Sequence, residues 1–300
     1  MRLLILGLDG LDPDLVERWR MDWFKLKFHG RHYVGVLKKL YTPIVWGSIL
    51  TGLNVEEHGY GLRELREKRS REAFKSRVLR RLYLLRLRLT RRRLGVRKLL
   101  VKLGLVNPYP PAIMHDHLLA RTFLEELKAR GYSVAAIEVP SYNESRNEYY
   151  RSRIDALATA PFSRRVELVE EALEDTRERV ERGVKCVEEG HDLIFIYTPL
   201  PDVAFHMAVG PTLKVKVWLR SVHYALYEML RPLMKLARER GYEVLMLSDH
   251  GFDLRSGYHS EYGFWSTTVK PPYRPSSILD FHDLVMQLVE MPPHPRSDVY

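Results

Sequence analysis

Short apolar runs punctuate the chain at residues 2–8 (RLLILGL), 132–140 (YSVAAIEVP), 191–198 (HDLIFIYT) and 242–248 (YEVLMLS). Their apolar positions are nearly continuous instead of alternating, the pattern of strands buried on both faces of a parallel sheet. Between them the period changes to three and four. A helix starts at Pro13 and runs through Leu15 and Trp19, another spans 115–131 and ends at Gly131, and a long one spans 163–189 with Val166, Val169, Leu173, Val180, Val184 and Val187 on one face. Residues 212–240 and 281–290 are two more. Strands separated by amphipathic helices predict an α/β fold with helices on both faces of the sheet. The order helix, Gly-Tyr, strand occurs at 115–139 and again at 234–248, as in βαβ units, without a true sequence repeat. Residues 21–40 read as a hairpin or strand pair around Gly30, with His29 and His32 on the surface, 141–155 as a polar and aromatic loop, 263–269 as a last strand and 291–300 as a Pro-rich tail.

The stretch YTPIVWGSILTGLNVEEHGYG (41–61) reads as a helix with Thr42 as N-cap, Pro43 in its first turn, and Gly52 at its end. A hydroxyl there lies at the positive end of the helix dipole, where anions bind. Three apolar runs end in acids or histidines: the first in Asp9, the third in Asp202 and His206, the fourth in Asp249 and His250, with His259 following. Singly, each is ordinary as a cap, a strand-end acid or a packed imidazole. Together they fit a different role, because parallel strands present their carboxyl ends to one crevice. Three carboxylates, three imidazoles and a hydroxyl converging there suit a two-metal site of mixed oxygen and nitrogen ligands.

Composition narrows the class. The chain has 300 residues, 45% hydrophobic and 29% charged, enough for one large α/β domain with an insertion (domain 1–300, insertion 63–107). One cysteine, Cys186, excludes an internal disulfide and reads as a packing residue. The first ten residues lack the features of a secretory leader, and no apolar run reaches the roughly 20 residues of a membrane span. The expected location is therefore cytoplasmic. The net charge of +10 is uneven: residues 63–103 hold 17 Lys and Arg against 3 Glu, a net of +14, which leaves 10 − 14 = −4 elsewhere. Leu82, Leu85, Leu89 and Val96 recur in that segment near helical spacing among the arginines. It predicts a basic helical cap paired with the acidic body, or a peripheral contact with an anionic membrane. Nucleic acid is less favoured, since Tyr83 is nearly alone as a stacking residue.

The arrangement resembles the alkaline phosphatase superfamily, in particular its type I phosphodiesterase/nucleotide pyrophosphatase branch. The resemblance rests on Thr42-Pro43, Thr51-Gly52 and His58-Gly59 at the spacing of the nucleophile motif. It rests equally on the order Asp9, Thr42, Asp202-x-x-x-His206, Asp249-His250, His259, and it spans nearly the whole chain. It implies a three-layer sandwich around a mostly parallel sheet, with the basic segment as an insertion. It also implies a hydrolase of phosphodiester or phosphoanhydride bonds acting through a phosphothreonine on Thr42. Asp9, Thr42, Asp249 and His250 would then hold one divalent ion and Asp202, His206 and His259 the other, with Zn2+ preferred and Mn2+ the alternative. The substrate would be a small phosphate ester or nucleotide.

Departures from the pattern matter. A sulfatase would need Cys or Ser ahead of x-Pro-x-Arg, which is missing here. Arg63 stands near the position where phosphodiesterases often carry Asn; as a bidentate phosphate clamp it would favour monoesters. A phosphomonoesterase or mutase-like phosphoryl transferase is thus the enzymatic alternative. A docking protein with a vestigial metal site is the alternative of another class.

Overall fold

The computed structural model describes residues 1–89, 96–208 and 212–292. In chain order these form β1 (Arg2–Leu8), α1 (Pro13–Arg18), β2 (Phe28–Tyr33), α2 (Thr42–Thr51), α3 (Leu62–Glu72), α4 (Arg77–Leu89) and α5 (Val96–Lys102). Next come α6 (Asp116–Leu119), α7 (Phe123–Ala129), β3 (Val134–Ile137), α8 (Asn147–Leu157), α9 (Phe162–Glu189), β4 (Leu193–Thr198) and α10 (Asp202–Met207). The chain continues through α11 (Leu213–Glu239), β5 (Tyr242–Leu247), β6 (Gly251–Asp253), β7 (Tyr258–Ser260), β8 (Tyr262–Thr267) and α12 (Phe281–Glu290). The Pro-rich tail expected at 291–300 lies, beyond residue 292, outside the described residues.

Six strands make one sheet in the order β2-β8-β5-β1-β4-β3. Four consecutive strands, β5, β1, β4 and β3, are mutually parallel, while β8 pairs antiparallel with β5 and β2 pairs antiparallel with β8. Side chains of successive residues leave a strand on opposite faces, so each buried strand feeds two cores. Leu4, Leu6, Ile194, Ile196, Val244 and Met246 join α1, α9, α10 and α11 on one face. Leu3, Ile5, Leu193, Phe195, Leu245 and Leu247 join α2, α7 and α12 on the other. The result is the α/β sandwich, helix layer, sheet, helix layer, that the periodicity predicts.

Several local expectations fail. No hairpin forms at Gly30: β2 passes straight through it and pairs Gly30 with Trp265 of β8. A Cβ on Gly30 would lie 3.0 Å from the Trp265 ring, so the glycine makes room for a distant aromatic, not for a turn. His32 is not a surface residue. It is 1% exposed, with its ring edge-on to Phe281 at 4.8 Å, and burial lowers its pKa to about 3. Residues 141–155 are not all loop, since α8 buries Glu148 and Tyr150. The 115–131 helix also breaks into two, because Thr122 caps α7 by accepting from the Glu125 N–H at 3.2 Å.

Inside the basic segment the structure draws a boundary. α3 belongs to the body: Leu65 is 2% exposed, Lys68 Nζ donates to the Ile113 carbonyl at 2.5 Å, and Arg69 pairs with the buried Glu148 and donates to the Tyr41 hydroxyl. The described residues of 73–107 pack on themselves instead. Ala73, Leu100 and Val106 form a small separate core, with Phe74, Leu79, Tyr83, Val96 and Val101 packed against it. Phe74 and Val106 form an antiparallel bridge, and the Asn107 N–H donates to the Ala73 carbonyl at 2.7 Å, so the lobe starts and ends at one place. Among the described residues, no helix is long and apolar enough to cross a membrane.

Candidate metal centre and active site

Adjacent strands β4, β1 and β5 deliver Asp202, Asp9 and the Asp249-His250 pair to the carboxyl edge of the sheet. Neighbouring turns are stitched together by the main chain. The Asp202 N–H donates to the Asp9 carbonyl at 2.9 Å, and the Gly10 N–H donates to Asp249 Oδ1 at 3.1 Å. Gly10 adopts φ +74°, and a Cβ there would stand 3.0 Å from the Asp202 Cβ, so the turn has room for glycine alone.

Two groups of three result. In one, Asp9 Oδ1 and Asp249 Oδ2 stand 3.5 and 3.3 Å from His250 Nε2. In the other, Asp202 Oδ2 is 3.4 Å from His206 Nε2 and its Oδ1 is 3.4 Å from His259 Nε2. The His250 and His259 rings stack between the groups with centroids 3.7 Å apart, joining them into one cluster. α10 is a single short helix, and its one turn from Asp202 to His206 aims both side chains the same way.

The imidazoles are oriented for ligation. His250 Nδ1 faces the Gly251 carbonyl at 3.1 Å and His259 Nδ1 faces the Leu40 carbonyl at 2.9 Å. A carbonyl only accepts, so each Nδ1 carries a proton and Nε2 is the nitrogen aimed inward, the arrangement that outer carbonyls impose on metal-binding histidines. Crowding displaces the titrations. Burial, then Asp249 and Asp202, push the Asp9 carboxyl well above its ordinary range, and burial takes Asp249 up to about 7. Burial would raise Asp202 too, but His206 and His259 outweigh it and hold it well below. Burial takes His250 down to about 3, whereas Asp202 overcomes burial at His259 and lifts it to about 9.

Thr42 opens α2 on the same side. The structure corrects its expected role: Tyr41 is the N-cap, because its carbonyl receives the first intrahelical bond, from the Val45 N–H at 3.1 Å. Thr42 is 8% exposed and caps nothing, so its hydroxyl is not committed to the helix. Its neighbours are: Thr51 Oγ1 donates back to the Gly47 carbonyl at 2.8 Å, and Ser48 Oγ accepts from the Val55 N–H at 3.4 Å. The Leu40 carbonyl that holds His259 lies two residues before Thr42, which ties the start of α2 to the second group.

Arg63 is not brought in. Its side chain is 86% exposed on α3 and paired with Glu67 at 3.3 Å, and no hydrogen bond or ion pair joins it to the cluster.

Two residues that sequence reasoning passed over support the cluster. Tyr197, on β4, donates its hydroxyl to Asp9 Oδ2 at 2.5 Å, while its ring meets Trp46 of α2 edge-on at 5.6 Å and lies under Arg179. Arg179 is 1% exposed, donates to the Tyr197 carbonyl at 3.0 Å and pairs with Asp175 at 2.6 Å. The signal available was a tyrosine in an otherwise apolar buried strand, whose hydroxyl needs a partner. Asp12 accepts from the Leu15 N–H through Oδ1, and from the Phe252 N–H and Ser260 Oγ through Oδ2, which fastens the β6-β7 hairpin carrying His259.

The fold and this double acid-histidine group define an alkaline phosphatase-type α/β protein. Residues 3–270 match the type I phosphodiesterase/nucleotide pyrophosphatase family, and the chain belongs to it. Similar solved structures include murine ectonucleotide pyrophosphatase/phosphodiesterase 5, at 12% identity and TM-score 0.41, and its human counterpart, at 13% and 0.38. The alignments cover 84% of this chain and 57% of each of those, so the chain spans little more than half their length. No curated protein matches it in sequence.

Proposed function

We propose that this chain is a metal-dependent hydrolase of phosphodiester or phosphoanhydride bonds in small phosphate esters or nucleotides. In this reading, residues 1–300 form one catalytic domain and Thr42 is the nucleophile. The observation that carries it is a set of buried atoms without hydrogen-bond partners: Asp9 Oδ1, Asp249 Oδ2, His250 Nε2 and Asp202 Oδ1, all members of the two groups of three. Leaving such atoms unpaired costs about 1–3 kcal/mol each, more when charged. Four together, in a mixed oxygen and nitrogen set, are matched by divalent cations. Asp9, Asp249 and His250, with Thr42, would hold one ion, and Asp202, His206 and His259 the other; the donor set favours Zn2+, with Mn2+ second. Two such ions, when bound, neutralise phosphoryl charge and acidify hydroxyl and water oxygens.

The chain's own groups account for the rest. The carbonyls of Gly251 and Leu40 hold His250 and His259 in the ligating tautomer. Tyr197 keeps its proton, because burial and the adjacent Asp9 raise its pKa well above the ordinary value, and so it remains a donor that fixes the Asp9 carboxylate. Thr42 Oγ1 attacks phosphorus, forming the Thr42 O–P bond as the ester bond to the leaving oxygen breaks, and the proton lost by the threonine hydroxyl ends, through solvent, on that leaving oxygen. The phosphorylated α2 N-terminus is favoured by the helix dipole. Water then cleaves the Thr42 O–P bond and restores the hydroxyl. Arg63, solvent-facing, takes no part, which removes the specific argument for a monoesterase.

The test is elemental analysis after reconstitution with Zn2+ or Mn2+, beside hydrolysis of bis-p-nitrophenyl phosphate and p-nitrophenyl phosphate. About two ions per chain, falling toward one in His259→Ala, and preference for the diester are expected. Acid quenching during turnover should leave phosphate on the peptide containing Thr42. Absence of bound metal would overturn the proposal.

A further inference from the structure

The lobe at 73–107 gathers charge of one sign. It contains 12 Lys and Arg and no Asp or Glu, and the next acid in the chain is Asp116. A cap held to the body by salt bridges is what its composition suggests, yet among the described residues of 63–107 the ion pair to the body is Arg69–Glu148, made from α3. Among the described residues, Lys75, Arg77, Arg81 and Lys102 are exposed and enter no ion pair. Like charges gathered this way repel one another unless an anionic partner offsets them.

Its apolar residues are divided in the same unusual way. On α4, Leu79 and Tyr83 turn inward onto Ala73, Leu100 and Val106. Val78, Leu82 and Leu85, at i, i+4 and i+7, face solvent with 66%, 58% and 53% exposure. On α5, Leu100 is inward while Leu99 and Leu103 are 55% and 60% exposed. Both helices therefore carry an outward apolar stripe beside unpaired cations.

We propose that this lobe docks on a membrane surface containing anionic phospholipid. A bilayer supplies both complements at once: phosphate for the cations and an apolar phase for Val78, Leu82, Leu85, Leu99 and Leu103. Nucleic acid supplies only the first. The lobe's two aromatics, Phe74 and Tyr83, pack on each other at 5.2 Å and against its small core, so neither is a free platform for base stacking. The lobe lies on the membrane instead of crossing it, since α4 has 13 residues. Docking is independent of the catalytic reading.

The test is sedimentation of the full chain with phosphatidylcholine vesicles, with and without about one-third phosphatidylglycerol, in about 0.1 M salt. The protein should pellet with the anionic vesicles and bind the neutral ones at least about tenfold more weakly. Arg77→Gln/Arg81→Gln/Lys102→Gln should weaken anionic binding by roughly 100-fold, since each cation near such a surface contributes about a fivefold factor. Leu82→Ser/Leu85→Ser should make the remaining binding fully reversible by salt, where wild type keeps a salt-resistant part. Both variants alter exposed side chains, so unchanged melting temperatures separate loss of docking from loss of fold. Equal binding to neutral vesicles, no effect of the charge variant, or tighter binding to duplex DNA than to anionic vesicles would each overturn the proposal.

Discussion

The strand ends and the basic lobe solve opposite problems. At the strand ends, charged groups are buried, interlocked and aimed at a common point. Asp249 and His250 are 0% exposed, and Asp9, Asp12 and Asp202 are 2%, 5% and 8% exposed. In the lobe, Lys75, Arg77, Arg81 and Lys102, and leucines such as Leu82, Leu85, Leu99 and Leu103, are exposed to solvent. Burial makes an unpartnered polar atom costly, so in the first region geometry specifies a small ligand. Exposure makes an unpartnered charge cheap singly and informative only in number, so in the second region composition carries the docking proposal.

The strongest way to break this contrast is Thr42→Ala. Turnover of bis-p-nitrophenyl phosphate should fall by about 10³-fold or more, because the two-step route is lost. Stability should change by less than about 1 kcal/mol, since the hydroxyl caps nothing. Turnover within tenfold of wild type would make a water, not Thr42, the attacking group. Next in size is Tyr197→Phe, which leaves Asp9 without its donor; titration calorimetry should show metal affinity lowered by about 10–100-fold. Turnover should recover at saturating metal, which a defect in chemistry would not do.

A smaller effect tests the buried network behind the site. Burial raises the Glu144 carboxyl to about 8 from an ordinary 4.5. The folded protein thus holds a proton that the unfolded chain releases, so this group's contribution falls as pH rises from about 4.5 and levels off above about 8. Glu144→Gln should therefore gain melting temperature over wild type progressively between pH 5 and pH 8, roughly in proportion to the proton retained. A constant difference across that range would refute the shift. The least effect is expected from replacing residues 74–106 by a short Gly linker between Ala73 and Asn107. Small-ester turnover should stay within about threefold, while anionic-vesicle binding disappears, because α3 and its hold on Tyr41 are kept. A large loss of turnover would make the lobe part of the active site.

The parallel strands and their acid ends were legible because a short, continuous apolar run between turn residues suits a strand buried on both faces, and the chemistry sits at its terminus. The supporting contacts were not. Tyr197 reaches Asp9 only because β1 and β4 pair with Gly7 opposite Tyr197, a register no local pattern reveals. Arg63 misled because nearness in sequence to His58-Gly59 does not fix a helix face: α3 turns Leu65 inward and Arg63 out. Likewise α8 hid because its inward residues include a glutamate, Glu148, whose partner Arg69 lies far along the chain.

The two groups of aspartates and histidines are gathered from residue 9 to residue 259, with Asp12 bonding to Ser260 across nearly the full chain. Such contacts form only after the intervening chain has closed on itself, and closure over long separations is slow. An ion bound between these side chains would therefore hold together both ends of the folding sequence and would have no local site in a half-folded chain. At a concentration about 1,000 times its dissociation constant it would add about 4 kcal/mol to the stability of the entire sandwich. With such an ion, metal supply during synthesis would help to decide how much native protein accumulates.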